Sequence, residues 1–573
     1  MIERLRRKTS TANSVLLVAP LVLVMAIFFA WPLVDLLLRS LSSQGLVSYA
    51  HPEFDLTNYK AVFADRLLLL IQWHTVVIAF WATLFTFVLA FPTAFLLSRA
   101  SGKTATALLG LFLIGFWVSI IVRLFALTEV LSRNGVVNSL AGLLHVGPFD
   151  LMFNTTGTII GMVNYLLPYM VLLLYAGMAG VDWNLIAAAK SLGATPRRAF
   201  VEIYFPLVRP GLVGAVLLIF ILGLSFFLTP AVLGGPENTT VAVYIQQQVN
   251  IYSWGVASAI GIVLLALTVI GYVVALRFSG PTLLTGVGAS SSKGAIAQEP
   301  LRMSVATIAL GLAAAASLLL LLLPVALVPP MSIGTTGNVF FPPKGFTLHW
   351  YAQVFDGATW TAPLLKSLEV AAAVAVISTG LGLALARVVV GLRSRTLRSV
   401  ITAAAFAPLI TPVILLAIGE YDVQVRTGLA GTSFGLIMAH VVIAFPVAFA
   451  VLSNALSNVD ASLEPAAWTL GASRTAAFWS IVVRSIIPSV AGAFVLSFMV
   501  SWDEVVIALF QTGFEKTLPV TIFAYLQAGI VPTVPAIATM LIGVVVIGFT
   551  LAWIVRSRAT AARTKKASSE GAL

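Results

Sequence analysis

The residues most suited to chemistry are two adjacent acids, Asp503 and Glu504, inside the apolar stretch from Ser497 to Phe510. An unpaired acid at the centre of a bilayer costs roughly 2.5–3.5 kcal/mol on insertion scales, so acids at depth usually face a cavity or a partner. Adjacent helix positions point about 100° apart, so both acids cannot squarely face one narrow pore. The pair therefore predicts either cation contact along a path through the membrane or a structural role. The structural role would lie at the outer interface or beside a buried Arg such as Arg123.

Aromatic residues form a second group of candidates, because an aromatic face attracts a cation. The group consists of Phe226, Phe227, Tyr244, Tyr252 and Trp254. Anchoring at the lipid interface is the commoner role of such side chains. We take Phe227, Tyr244 and Trp254 as the aromatic candidates for the cation path.

Other chemistry finds little support in the sequence. The absence of Cys excludes disulfides, thiol catalysis and Cys-ligated metals, and the five His residues are scattered without the spacing of metal ligands. The tetrapeptide Ser101–Thr104 ends like a phosphate-binding loop, but Leu97 stands where that loop requires Gly. We therefore expect no catalytic residues, no metal site and no cofactor bound by this chain.

Composition defines the class of protein that must position these residues. Of 573 residues, 60% are hydrophobic and 9% are charged, and the mean hydropathy is +1.03. These values predict an all-α polytopic membrane protein. The net charge of +12 is better explained by Lys and Arg that orient the protein in a membrane than by binding to nucleic acid.

About twelve membrane spans are predicted, since each long apolar run has roughly the ~20 residues that a helix needs to cross a bilayer. The runs lie near 15–38, 70–98, 105–127, 158–180, 207–228, 255–278, 303–328, 362–388, 399–420, 433–456, 486–509 and 534–556.

An internal repeat organises these spans. The segment LIAAAKSLGATPRRAFVEIYFPLVRPG at 185–211 returns as LEPAAWTLGASRTAAFWSIVVRSIIPS at 463–489, and Gly471 follows Gly193 by 278 residues. Pro488 and Gly513 follow Pro210 and Gly235 by the same offset. The sequence therefore predicts a tandem duplication with one such segment in each half.

Each copy is predicted to form a short helix–turn–helix between two spans. Gly193 and Gly471 stand where a helix C-cap favours positive φ. Thr195-Pro196 and Ser473 then provide the N-cap of the next helix.

The halves are predicted at 1–278 and 303–573, joined by a flexible Gly/Ser-rich linker at 279–302. Of the 33 Lys and Arg residues, 24 lie in termini and loops that would share one side of the membrane. This excess predicts cytoplasmic termini and places both repeated segments on the cytoplasmic side.

The repeated segments resemble the cytoplasmic coupling loop of ABC importer permeases, whose pattern is E-A-A-x3-G-x9-I-x-L-P. The matching positions are Ala188, Ala189, Gly193, Ile203 and Pro206 in the first copy and Ala466, Ala467, Gly471 and Ile481 in the second. The Glu of the pattern is replaced by Ala187 and Pro465, with Glu464 one place early.

Further stretches are similar to spermidine/putrescine importer permeases. SWDEVV at Ser501–Val506, followed by Leu518-Pro519 and Ile522, resembles the C-terminal-type permease. The first half resembles the partner permease, and the stretches that carry this likeness are Phe116-Trp117 with Arg123, Asn164–Pro168 and Thr229–Gly235.

The resemblance implies a type I ABC importer fold in a bacterial inner membrane. Two copies of a cytoplasmic ATPase, which use ATP and Mg²⁺, would dock under the two loops, and an extracytoplasmic substrate-binding protein would deliver a polyamine. The implied coupling residues are Ala188, Ala189, Gly193, Arg197, Pro206, Glu464, Ala466, Ala467, Gly471 and Arg474. Arg197 and Arg474 could instead hold the loops at lipid headgroups.

Two alternatives remain open at this stage. Related permeases carry ferric iron, phosphonates or opines, so the same role with another solute is possible. The twelve predicted spans fall into two sets of six, and secondary transporters often share this six-plus-six arrangement. That class of protein, however, gives no reason for a second copy of the repeated segment.

Overall fold

The structure, a computed structural model, describes residues 11–42, 54–100, 102–279, 305–339, 341–513, 515–548 and 550. Within these residues the chain is helical, and β-pairing is limited to an isolated bridge between Ser42 and Phe54. The predicted all-α class is confirmed. The predicted linker at 279–302 lies outside the described residues except for Ser279.

The helices of the first part of the chain follow in order. They are α1 (Thr11–Met25), α2 (Trp31–Ser40), α3 (Thr57–Ala64), α4 (Arg66–Arg99), α5 (Gly102–Trp117), α6 (Ile120–Leu131), α7 (Val136–Leu143), α8 (Thr155–Ala179), α9 (Trp183–Ser191), α10 (Pro196–Ala199), α11 (Phe205–Leu224), α12 (Leu228–Leu233), α13 (Val241–Asn250) and α14 (Trp254–Ser279). Ala26–Ala30 and Phe200–Tyr204 are π-helical, and Pro236–Asn238 is a 3₁₀ turn.

The second part begins after the linker. Its helices are α15 (Val305–Met331), α16 (His349–Phe355), α17 (Ala358–Gly391), α18 (Arg395–Ile410), α19 (Val413–Thr427), α20 (Ser433–Ser457), α21 (Leu463–Thr469), α22 (Arg474–Ala477), α23 (Ile487–Trp502), α24 (Val506–Gln511), α25 (Leu518–Ala528) and α26 (Thr533–Gly548). Phe478–Val483 is π-helical.

The number of spans agrees with the sequence prediction. Among the described residues, 8 helices are long and apolar enough to cross a membrane, and up to 11 spans result if each of 3 bent helix pairs is one span. These correspond to all the predicted runs except the one near 534–556. The shorter α26 lies there, and much of the rest of that run is outside the described residues.

Three spans are sharply bent, which hydropathy did not predict. The bends are 91° between Ala107–Trp117 and Ile120–Leu143, 92° between Arg395–Ile410 and Val413–Thr427, and 77° between Arg474–Val483 and Ile487–Trp502. Pro412 lies at the second break and Pro488 in the first turn of α23. Proline lacks the N–H that continues a helix, so these breaks have a local cause.

The chain forms two compact units. One unit comprises Met1–Phe80, Phe220–Ser291 and Trp360–Thr521, and the other comprises Trp81–Ile219, Ser292–Thr359 and Ile522–Leu573. Each unit combines segments from both sides of the predicted linker. Sequence halves and compact units are therefore different divisions of the chain.

The first predicted span of each half packs against helices of the other half. In the first unit, α2 contacts α14 and also α19. Gly419 permits this approach, because a Cβ there would lie 3.0 Å from Leu36 and 3.1 Å from Pro32. In the second unit, α15 contacts α5, α6 and α8, and Asn164 donates a hydrogen bond to the Leu320 carbonyl at 2.7 Å. Small residues and interhelical hydrogen bonds are the usual means of helix association in membranes.

A buried charge network joins α2, α14 and α19. Arg39, 2% exposed, contacts Asp35 at 3.0 Å and Asp422 at 2.7 Å. Arg426 also reaches both acids, at 3.5 Å from Asp35 and 3.0 Å from Asp422. The Arg39 guanidinium lies 5.3 Å from the ring centroid of Trp254. Two arginines therefore compensate two buried carboxylates, and the Trp254 ring adds a cation–π contact to Arg39.

We expect Arg39→Met to destabilise the first unit by about 3–5 kcal/mol, because it removes one partner from a buried charge pair. Thermal unfolding of the purified protein in detergent measures the loss. The control is Arg198→Met, which breaks an exposed i,i+4 pair with Glu202 and should cost about 0–1 kcal/mol. Equal shifts for the two variants would contradict a stabilising role for the network.

Candidate coupling segments and cation path

The two coupling segments, defined as 185–211 and 463–489, share the same local geometry. Helix α9 ends before Gly193, whose φ is 89°, and α21 ends before Gly471, whose φ is 91°. Such backbone angles cost L-residues about 1–2 kcal/mol, whereas Gly adopts them freely. The predicted C-cap glycines are confirmed as structural features.

The predicted N-caps are confirmed as well. Thr195 accepts a hydrogen bond from the Arg198 N–H at 3.3 Å, and Ser473 accepts one from the Ala476 N–H at 3.2 Å. After one turn of α-helix, each copy continues into a π-helical stretch that begins 278 residues apart, at Phe200 and Phe478. The duplication therefore extends to an unusual backbone feature that the sequence analysis did not anticipate.

Acidic residues fix the chain at the entrance of each segment. Asp182 accepts a hydrogen bond from the Asn184 N–H at 2.9 Å, and Asp460 accepts one from the Ser462 N–H at 2.9 Å. Hydrogen bonds from the Ser462 backbone and side chain lower the pKa of Asp460. A negative charge at a helix N-terminus is favourable because of the helix dipole.

Burial within the segments follows the repeat. Ala189 and Ala467 are buried, whereas Ala188 and Ala466 are exposed. The most exposed apolar side chains are Leu192, at 89%, and Leu470, at 88%, each directly before the glycine of its turn. The exposure of these two leucines was not predicted from the sequence. An apolar residue repeated at the tip of a polar loop was the available signal.

An arginine from an earlier long helix contacts the first helix of each coupling segment. Arg99, the last residue of α4, lies 3.9 Å from the ring centroid of Trp183. Arg387 of α17 contacts Glu464 at 2.8 Å and lies 4.7 Å from the ring centroid of Phe478. Glu464, displaced by one place from the family pattern, therefore has a partner within its own chain. Sequence reasoning missed Arg99 and Arg387 as anchors because these contacts are long-range.

The remaining predicted coupling residues lie on the surface. Arg197, Pro206 and Arg474 are exposed. The Arg474 guanidinium lies 5.3 Å from the ring centroid of Trp468, so its orientation is set within the second segment.

Asp503 and Glu504 lie at a helix break rather than within one continuous span. Helix α23 ends at Trp502, and α24 begins at Val506. Glu504 accepts a hydrogen bond from the Ile507 N–H at 2.7 Å, so it satisfies a donor in the first turn of α24. The 100° argument from a regular helix therefore does not apply to these two acids. Both side chains are half-buried.

The predicted path residues all belong to the first compact unit. Phe227 is buried at the start of α12, and Tyr244 is half-buried on α13. Trp254 lies beside Arg39 and stacks on Tyr421 with ring centroids 6.3 Å apart. Trp254 therefore makes a cation–π contact with Arg39 of the same chain.

Comparison with known proteins gives these features a context. Residues 378–560, which include the second coupling segment and both acids, match the family described as the binding-protein-dependent transport system inner membrane component. The spermidine/putrescine transport system permease protein PotB of Salmonella typhimurium (strain SL1344) is 32% identical over 263 residues, which cover 90% of that protein and 45% of this chain.

Other relatives are similar in kind. PotB of Escherichia coli (strain K12) is 33% identical over 222 residues, with 80% of that protein and 38% of this chain covered. The spermidine/putrescine transport system permease protein PotC of Haemophilus influenzae is 28% identical over 200 residues, which cover 77% of that protein and 35% of this chain. A solved bacterial ABC transporter for the acidic polysaccharide alginate covers 45% of this chain at 16% identity, with a TM-score of 0.39.

The apolar helices and this family match define a multi-pass inner-membrane transport protein. The chain belongs to the family of binding-protein-dependent ABC importer permeases. Each of the three relatives covers less than half of this chain, which fits a chain with two permease-sized repeats.

The anchor of the second coupling segment can be tested directly. Arg387→Met removes the partner of Glu464, so amide hydrogen exchange across α21 should become faster while other helices are unaffected. Arg484→Met, at an exposed arginine in the same segment, is the control and should leave exchange unchanged. Identical exchange in both variants would contradict the anchoring role.

Proposed function

We propose that this permease forms the membrane path of an ATP-driven importer for polyamines such as spermidine and putrescine. The observation that carries the proposal is the place of Asp503 and Glu504 at a helix break, in a chain whose relatives are named for spermidine and putrescine transport. Interrupted membrane helices are common at transport sites. Two acids at such a break suit a substrate that bears several ammonium groups.

Within this proposal, Asp503, Glu504, Phe227, Tyr244 and Trp254 contribute to the path of the cation. Carboxylates supply charge, and aromatic faces supply weaker attraction without strong binding. A cationic solute is favoured over a phosphonate, because two adjacent acids would repel an anion. Ferric iron and opines are the remaining alternative solutes.

The proposed partners follow from the duplicated segments. Each coupling segment would meet one subunit of a dimeric cytoplasmic ATPase, which binds and hydrolyses ATP with Mg²⁺, while this chain binds no cofactor. A substrate-binding protein would deliver the polyamine from the opposite side. Leu192 and Leu470 are suited to docking because burial of an exposed leucine releases about 1.5–3 kcal/mol.

Uptake into vesicles tests the proposed function. Vesicles that contain this chain, its ATPase and its binding protein should accumulate spermidine or putrescine only when ATP is supplied, and an ionophore should not abolish uptake. Ferric iron is compared in parallel. Uptake of iron alone would overturn the polyamine assignment, and uptake driven by an ion gradient without ATP would favour a secondary transporter.

The coupling role is tested at the exposed leucines. We expect Leu192→Asp and Leu470→Asp each to reduce ATP-driven uptake at least tenfold, because docking would bury a charge. Folding should be unchanged, since both side chains are exposed. Leu397→Asp, at an exposed leucine of the first unit on the same predicted side of the membrane, is the matched control. Full uptake and normal ATPase binding by both variants would contradict docking at these positions.

A further inference from the structure

Glu420 on α19 is an acid that neither the sequence analysis nor the proposed path includes. Its side chain is fully buried, at 0% exposure. Neither carboxylate oxygen accepts a hydrogen bond from the described part of the chain. This differs from Asp422, two residues later, which contacts both Arg39 and Arg426.

A buried acid without a partner is costly, so its presence calls for a physical reason. Burial of an ionised carboxylate is strongly unfavourable unless a counter-charge or several hydrogen-bond donors accompany it. Ionisable groups within membrane segments commonly mark the route of an ion or a substrate. Glu420 therefore needs either a proton or a cation that comes from outside the chain.

Glu504 lies just before α24, the helix that packs along α19. Helix α24 packs along α19, and Tyr421 lies next to Phe510 with ring centroids 6.5 Å apart. Glu420 and Glu504 therefore belong to neighbouring elements of the first unit. Glu504 is half-buried and Glu420 is fully buried, so one acid is partly accessible and the other is enclosed.

The geometry points to Glu420 and Glu504 as a two-carboxylate subsite for one primary ammonium group of a di- or polyamine during translocation. This inference rests on the proposed polyamine function and adds an acid from α19 to the path. An ammonium group offers three N–H donors and a positive charge. It would give the carboxylate of Glu420 the donor and the positive charge that the described part of the chain does not supply.

A resident metal ion is less well supported as the occupant. No group of three or more His, Cys, Asp or Glu side chains that could hold a metal occurs within the described residues. The competing explanation is a permanently protonated, purely structural Glu420. The two explanations differ in whether a charged amine changes the reactivity of this carboxyl group.

The first test uses the wild-type complex. Dicyclohexylcarbodiimide modifies protonated carboxyl groups in apolar surroundings, and mass spectrometry measures the modified fraction of Glu420. We expect putrescine at millimolar concentration to slow this modification at least fivefold. Butane-1,4-diol, which has the same length and no charge, should have no effect. Equal modification with putrescine and with the diol would overturn the subsite.

The second test uses variants in the vesicle uptake assay with saturating loaded binding protein. Glu420→Gln keeps the shape of the side chain and removes its charge, so putrescine uptake should fall at least tenfold. Glu420→Asp should recover part of the activity. Glu129→Gln, at a half-buried acid of the second unit, is the matched control and should transport normally.

The outcomes separate the two proposals. Absence of ATP-driven polyamine uptake by the wild-type complex would overturn the proposed function itself. Normal wild-type uptake together with full uptake by Glu420→Gln would overturn the subsite and leave the polyamine function in place. If Glu420→Gln fails to assemble, the protection experiment on the wild-type complex decides alone.

Discussion

The buried arginine Arg39 sets the main constraint on the first unit, because its charge must be compensated away from water. Asp35 shares its helix, Asp422 comes from α19, and Trp254 comes from α14. A charge pair of this kind gains little over apolar packing, but breaking it is costly. The network therefore specifies which helices meet more than it adds net stability. The contact between Arg39 and Asp422 helps to fix the position of α19, the helix that carries Glu420.

Much of the local structure could be predicted from the sequence because it depends on adjacent residues. Gly193 and Gly471 adopt positive φ in the structure, and Thr195 and Ser473 cap the helices that follow. These features need only a turn, a small residue and a side-chain oxygen. The repeat offset of 278 residues strengthened each prediction, since an accidental pattern is unlikely to recur in register. Span positions were predictable for a similar reason, because apolar length is a local property.

Features that depend on direction or on distant partners were not predictable in this way. Hydropathy averages the character of a window, so it does not show the break at Asp503 or the 92° bend before Val413, although Pro412 is a local cause of that bend. The contact between Arg387 and Glu464 joins residues far apart in the sequence. Trp254 shows the same limit for function. An aromatic ring predicts affinity for a cation, but only tertiary structure shows that Arg39 lies beside it.

Helices α6 and α19 differ in the charge of the ionisable residue that each buries most deeply. Helices α6 and α19 each follow the sharp bend of a broken span. In α6 the buried ionisable residue is Arg123, at 2% exposure, with its guanidinium 5.2 Å from the ring centroid of Tyr165. In α19 the fully buried one is Glu420. In the proposed function, the acids of the first unit, Glu420 on α19 and the pair at the break after α23, attract the cation, whereas Arg123 belongs to the second unit.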